Sequence, residues 1–233
     1  MEHIIPAILE RNFNEIKNKL TILHEQTKCV HIDFCDGVLV PTQTWPFASG
    51  GFDDPNFQRI QNEEEGMPHW EDFDFEFDLM VADAVENFDI YMKLGPKRMI
   101  FHLSAQKNIE DFEHFLESLD MYIRDNVEMG LAFELSSDLE IVSRISNKVD
   151  FLHCMGSDNI GHQGEVFHSK ALENIKILKE KLPGVVISVD IGINLDNATE
   201  IFQAGADRLV VGSSIWKSGD PIGTLENFQN LVE

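Results

Sequence analysis

Cysteine is scarce in this chain. Its 233 residues hold three, Cys29, Cys35 and Cys154, and no two are spaced as a CxxC pair. An odd, sparse set excludes a disulfide framework and fits reduced thiols. Positive charge is also short. Eighteen Lys and Arg stand against 41 Asp and Glu, a formal net charge of -23. Such a chain offers no broad basic surface, so neither nucleic acid nor an anionic membrane is expected as a partner. Small anions stay open, because backbone N–H groups hold them inside acidic proteins. Long apolar runs are missing as well. No segment approaches the ~18 residues that a membrane span needs. The opening Met1-Glu2-His3-Ile4-Ile5-Pro6 lacks the basic region and apolar stretch of a signal peptide. A cytoplasmic location is expected.

What is present is ordinary in amount and informative in order. Hydrophobic content of 43% and charged content of 25% suit a soluble globular protein with a sizeable core. Short apolar strands are expected at 4–9, 29–34, 75–81, 98–103, 129–135, 150–155, 185–190 and 207–212. Helical patterns fall between them, at 13–25, 83–94, 108–125, 138–146, 169–181 and 195–204, and a last one at 221–232 closes the chain. Eight strands with helical connections fit an α/β fold of the (β/α)8 TIM barrel type. An open doubly wound sheet is the alternative that strand count leaves standing. No composition shift marks a second domain, so residues 1–233 read as one barrel. The exception to regularity is 38–74, rich in Pro and Gly, with the acidic run Glu63-Glu64-Glu65. A short helix near 54–61 and a functional or interface loop are expected there.

Chemistry gathers at strand ends. In Val30-His31-Ile32-Asp33-Phe34, His31 and Asp33 lie two apart and share one side of the strand. An imidazole beside an acid can bind a metal or move a proton. A second acid, Asp190, ends the apolar run from Val185 and is followed by Ile191-Gly192. The run Leu209-Val210-Val211 leads into Gly212-Ser213-Ser214. Small residues after the last two strands match the usual phosphate site of a barrel. Each has a plainer reading. His31 alone is a hydrogen-bonded core histidine, and Asp78 alone serves as well as a helix cap.

Taken in order, these segments resemble the ribulose-phosphate 3-epimerase family. The motifs are Pro6-Ala7-Ile8-Leu9, His31 to Gly37 followed by Val40-Pro41, and Glu76-Phe77-Asp78-Leu79-Met80-Val81. Further on come Val189-Asp190-Ile191-Gly192-Ile193, Ala204-Gly205-Ala206-Asp207 and Gly212-Ser213-Ser214-Ile215. The resemblance covers nearly the whole chain. It implies a (β/α)8 barrel of the ribulose-phosphate-binding type that inverts the stereocentre beside the ketone of a sugar phosphate. It implies Asp33 and Asp190 as the two proton carriers. One divalent metal ion (Mg, Mn, Fe or Zn) would be held by His31, Asp33, Asp78 and Asp190. Gly161, Gly164, Gly192, Gly212 and Ser213 would bind the phosphate. Cys35, Met80, Met155 and His162 would line the substrate pocket. The partner is then a small phosphorylated sugar, and a homo-oligomer is expected.

Three departures matter. Asp78 stands where the family pattern has histidine, which makes the ligand set harder and favours Mg or Mn over Zn. Ala7 lacks the hydroxyl found there. The loop Ile160-Gly161-His162-Gln163-Gly164-Glu165 replaces Pro-Gly-Phe-Gly-Gly-Gln. The substrate pair by resemblance is ribulose 5-phosphate and xylulose 5-phosphate. A six-carbon ketose phosphate and a non-catalytic phosphosugar-binding role are the alternatives.

Overall fold

The computed structural model describes residues 2–232. In chain order the elements are β1 (Ile4–Ile8), α1 (Phe13–Leu23), β2 (Cys29–Cys35), α2 (Pro55–Gln61), β3 (Asp74–Met80), α3 (Phe88–Met92) and β4 (Arg98–His102). Next come α4 (Ile109–Ser118), α5 (Met121–Asn126), β5 (Glu128–Phe133), α6 (Leu139–Ile145), β6 (Phe151–Met155) and α7 (Ser169–Lys181). The last are β7 (Val186–Asp190), α8 (Ala198–Ala204), β8 (Arg208–Val211), α9 (Ser213–Trp216) and α10 (Pro221–Gln229). The strands form a closed barrel in sequential order, and β1 closes it by pairing in parallel with β8, Ile5 opposite Val210. The expected (β/α)8 barrel is the observed fold, and the open sheet is excluded by that closure.

The two-residue period of each strand divides two environments. Val30, Ile32 and Phe34 of β2, Phe75, Phe77 and Leu79 of β3, and Leu152 and Cys154 of β6 all belong to the main apolar core shared with the helices. The alternate residues carry polar chemistry into the barrel. Among them are His31, Glu76, Asp78, His102, His153 and Arg208, all fully or almost fully buried. Barrel interiors are usually filled by branched apolar side chains, so this one is polar by its sequence and must satisfy those groups internally.

Asn and Asp begin most helices. Asn12, Asp54, Asn108, Asp120, Asp138 and Asp220 each accept amide hydrogen bonds at the start of α1, α2, α4, α5, α6 and α10. This explains one departure from expectation. The pattern at 108–125 splits into α4 and α5, because Leu119 is extended and the Asp120 carboxylate takes the Ile123 amide at 2.9 Å to start a new helix. The helix expected over 83–94 shrinks to α3, since the chain after β3 is tethered to β2 instead. Asp36 Oδ2 accepts the Ala82 amide at 2.7 Å, while Oδ1 takes the amides of Val38 and Leu39. The single-turn α9 was not anticipated.

The irregular stretch 38–74 is a packed wall. Trp45 is fully buried against Phe13, Phe34 and Phe57. Its indole N–H donates to Asp54 Oδ1 at 2.9 Å, and Ser49 Oγ donates to Asp54 Oδ2 at 2.8 Å. Thr44 Oγ1 accepts the Cys35 amide at 2.8 Å and donates to the Asp33 carbonyl at 2.7 Å, tying the wall to the end of β2. Among the described residues no helix is long and apolar enough to cross a membrane. Asp54 is the residue on which the wall turns. Asp54→Ala removes a helix cap and leaves the buried indole N–H unpaired, so a destabilisation of ~2–4 kcal/mol is expected, read as a lower urea midpoint.

Candidate active site

The parallel register brings the predicted residues together. β2 and β3 align Asp33 with Asp78 and His31 with Glu76. β6 and β7 align Met155 with Asp190 and His153 with Ser188. His31 is held from below: its Nδ1–H donates to Glu76 Oε1 at 2.8 Å. Its Nε2 then faces Asp33 Oδ1 at 3.2 Å and Asp78 Oδ2 at 3.8 Å. The other oxygen of Asp78, Oδ1, accepts from His102 Nε2 at 2.7 Å. Glu134 Oε1 lies 3.6 Å behind His102 Nδ1.

Four side chains offer ligand atoms within 4.8 Å of one another: His31, Asp78, His153 and Asp190. Three of these were expected. Asp33 is not one of the four and sits beside them. His153 was missed. It lies among apolar neighbours in Phe151-Leu152-His153-Cys154-Met155, which reads as a core histidine. The available signal was its period: His153 shares a strand face with Met155, an expected pocket residue. Asp78 Oδ2 and both ring nitrogens of His153 are buried with no hydrogen-bond partner. Orphaned donors and acceptors of this kind fit a divalent cation.

Burial and neighbouring charge set the proton affinities. Burial pushes Asp190 up to about 7, against the nearby His31 and with help from the charges of Asp33 and Asp78. Burial also raises Asp33, which His31 partly offsets. Asp78 goes the other way: despite burial, the charge and hydrogen bond of His102 hold it below the usual carboxylate range. Burial keeps His153 neutral, with its value lowered to about 3.

Above this cluster a cavity opens at the C-terminal ends of the strands, with about 440 Å³ of space. Asp33 and Asp190 reach its wall, together with Met80, Met155, Gly161, His162, Gly164, Gly192, Gly212 and Ser213. Cys35 does not line it; that expected pocket residue packs behind Met80 with Val40, because the β2 strand ends there and turns its thiol into the wall. Ala7 and Gln163 also line the cavity. The turn after β7 is tight. A Cβ on Gly192, whose φ is 76°, would come within 2.3 Å of the Phe167 amide nitrogen, so only glycine fits. Ile191 before it also has φ of 74°, a strained setting for a β-branched residue. Its amide donates to its neighbour Asp190 Oδ1 at 2.6 Å.

Fold and site together define a (β/α)8 barrel whose acids and imidazoles converge beneath a mouth ringed by glycines. Residues 3–216 match the profile of the ribulose-phosphate 3 epimerase family, and the chain belongs to that family. It is 23% identical to the ribulose-phosphate 3-epimerase of Eremothecium gossypii, over 93% of this chain and 87% of that one. It is 22% identical to that of Bacillus subtilis, over 94% of each. Among solved structures, KGPDC from Streptococcus mutans in complex with ribose 5-phosphate shares the fold at a TM-score of 0.71 and 14% identity, covering 99% of this chain and 97% of that one.

The His102–Asp78 pair makes stability depend on pH. The neighbouring Asp78 and Glu134, opposing burial, raise His102 from the ordinary 6.5 to about 10. An imidazole with a raised value in the fold stabilises fully below 6.5, and that contribution is lost as pH climbs to about 10. With a chelator present, the urea midpoint of the wild type is expected to fall between these limits more than that of His102→Gln. Parallel curves for the two proteins would remove the pair from the account.

Proposed function

We propose that this chain is a metal-dependent epimerase that inverts C3 of a ketose phosphate, with D-ribulose 5-phosphate and D-xylulose 5-phosphate as its pair. One observation carries the reading. Two carboxylates from different strands, Asp33 and Asp190, face one cavity, and burial raises the proton affinity of both. Inversion next to a ketone requires a proton to leave one face of the carbon and another to arrive on the opposite face. Two carboxyl groups sharing a proton meet that need, since one begins ionised as base and the other begins protonated as acid. Their roles exchange when the reaction runs in reverse. An Asp190 value of about 7 keeps both forms of that group available near neutral pH.

His31, Asp78 and Asp190 would hold the cation. A divalent ion there supplies Lewis-acid stabilisation for the charge that develops on the sugar oxygens as the proton leaves. Glu76 fixes the tautomer of His31 and leaves Nε2 free to act as a ligand. His102 steadies Asp78 in the same way. Met80 and Met155 supply the apolar part of the cavity wall and help to exclude water.

The phosphate belongs at the glycine-lined end. Gly161, Gly164, Gly192, Gly212 and Ser213 leave backbone N–H groups open to an anion. Lys217 Nζ lies close to Gly164 and adds positive charge at that rim.

Two outcomes test this reading. Asp33→Asn and Asp190→Asn should each lower kcat by about 10²-fold or more with folding intact, measured as deuterium uptake at C3 in heavy water. A panel of five- and six-carbon ketose phosphates fixes the substrate length, and near-normal exchange in either variant would sink the two-acid mechanism. Gly212→Val should raise KM roughly tenfold to a hundredfold with less effect on kcat, from the loss of one or two anion hydrogen bonds. An unchanged KM would move the phosphate elsewhere.

A further inference from the structure

We propose that His153 is a ligand of the metal ion, supplying from β6 a second imidazole beside His31, and that Asp33 stands outside the ligand set. This deepens the metal-dependent reading above and rests on it.

The argument begins with an unsatisfied side chain. His153 is fully buried in the barrel interior, and neither ring nitrogen has a hydrogen-bond partner. An imidazole in that state destabilises a fold, by roughly 1–3 kcal/mol for each buried group left unpaired. A leucine would fill such a position without that penalty. The ring does not sit at random. It stacks on His31, with centroids 5.6 Å apart and planes 15° from parallel. One of its nitrogens lies within 4.8 Å of a ligand atom on each of His31, Asp78 and Asp190. Donors about 2 Å from a common ion lie up to about 4 Å apart, so a small contraction serves. Asp78 Oδ2, the orphaned carboxylate oxygen, belongs to the same group.

The donor chemistry agrees. Without His153, the expected set is one imidazole and the three carboxylates of Asp33, Asp78 and Asp190, a hard site suited to Mg. With it, the set becomes two imidazoles and two carboxylates, which suits Mn, Fe, Co or Zn. The carboxylate at Asp78 is thus balanced by an imidazole on the far side of the barrel. Asp33 keeps its contact with His31 and its place on the cavity wall, where its proton can move without competing for the ion.

The experiment measures binding, not turnover. Wild type, His153→Leu and His153→Gln are compared in a His69→Ala background, which disrupts the exposed group of His24, His69 and Asp72 as a second metal site. Equilibrium dialysis against Co²⁺, Mn²⁺ and Mg²⁺ gives stoichiometry and affinity. The visible spectrum of the Co²⁺ protein, and nitrogen couplings in the Mn²⁺ protein, count the bound imidazoles. The expected result is two imidazoles in the parent and one in His153→Leu. Co²⁺ affinity should fall by about 100-fold or more in His153→Leu, with a much smaller change for Mg²⁺ and partial recovery in His153→Gln. The metal-free His153→Leu protein should be at least as stable to urea as its parent, which separates loss of a ligand from loss of the fold. Unchanged Co²⁺ affinity and spectrum in His153→Leu would overturn the assignment, as would a parent that takes up no ion. Absence of C3 exchange by the fully loaded parent would instead overturn the epimerase reading, while the binding data still decide His153.

Discussion

The hydrogen bond from His31 Nδ1 to Glu76 Oε1 is the contact from which the site is built. Glu76 is completely buried, and a lone carboxylate there would be untenable in ionised form. Against burial, His31 and the two arginines, Arg208 and Arg98, hold it down to about 2. Arg98 in turn donates to Glu128 Oε2 at 2.7 Å, and the Arg208 guanidinium lies 4.2 Å from the centre of the Phe151 ring. This charged floor fixes one nitrogen of His31 and leaves the other facing upward. The positions of Asp33 and Asp78 around that second nitrogen follow from the strand register. A charged floor in a barrel does not by itself stabilise; breaking one partner of a buried network costs far more than the network contributes. Its effect is to leave His31 a single orientation.

Around that floor the structure separates two tasks. The residues facing the helices are apolar and close-packed, and they hold the barrel together. The residues facing inward are polar, and several remain unsatisfied. Asp78 Oδ2, His153 Nδ1 and Nε2, and Arg208 Nε and Nη2 all lack partners. A stable outer layer lets the inner layer carry such groups, because stability lost inside is offset outside. The strain at Ile191 belongs to the same pattern. A β-branched residue in the left-handed region costs roughly 1–3 kcal/mol, and here it turns the chain so that the Ile191 amide donates back to Asp190.

The mouth of the barrel shows how a divergent loop can retain a cavity. Gly161 and Gly164 keep positive φ values of 78° and 90°, so the chain reverses over the opening. Gln163 between them reaches back toward Gly212: a Cβ there would meet its Nε2 at 2.8 Å. That amide nitrogen is buried without a partner at the cavity wall. Ala7 opposite is small, and its carbonyl accepts the Trp216 indole N–H at 2.6 Å. The cavity therefore exchanges a small residue on β1 for a larger one in the loop after β6.

Much of this protein was legible in its sequence. Strand periodicity with turn chemistry announced eight βα units, and His31, Asp33, Asp78 and Asp190 stood out because acids and an imidazole closed apolar strands. Those signals are local: a two-residue period says which side chains share a face, and a strand end says which of them reach the mouth. What only the tertiary structure decided lies across the barrel. That Glu76 supports His31, that Cys35 turns away from the cavity, and that His153 stacks on His31 depend on closure and register, which no local window contains. His153 looked like core because its neighbours are core, and it became a site residue only when β6 was brought opposite β2. The sequence determined which groups face inward; the closed barrel determined which of them meet.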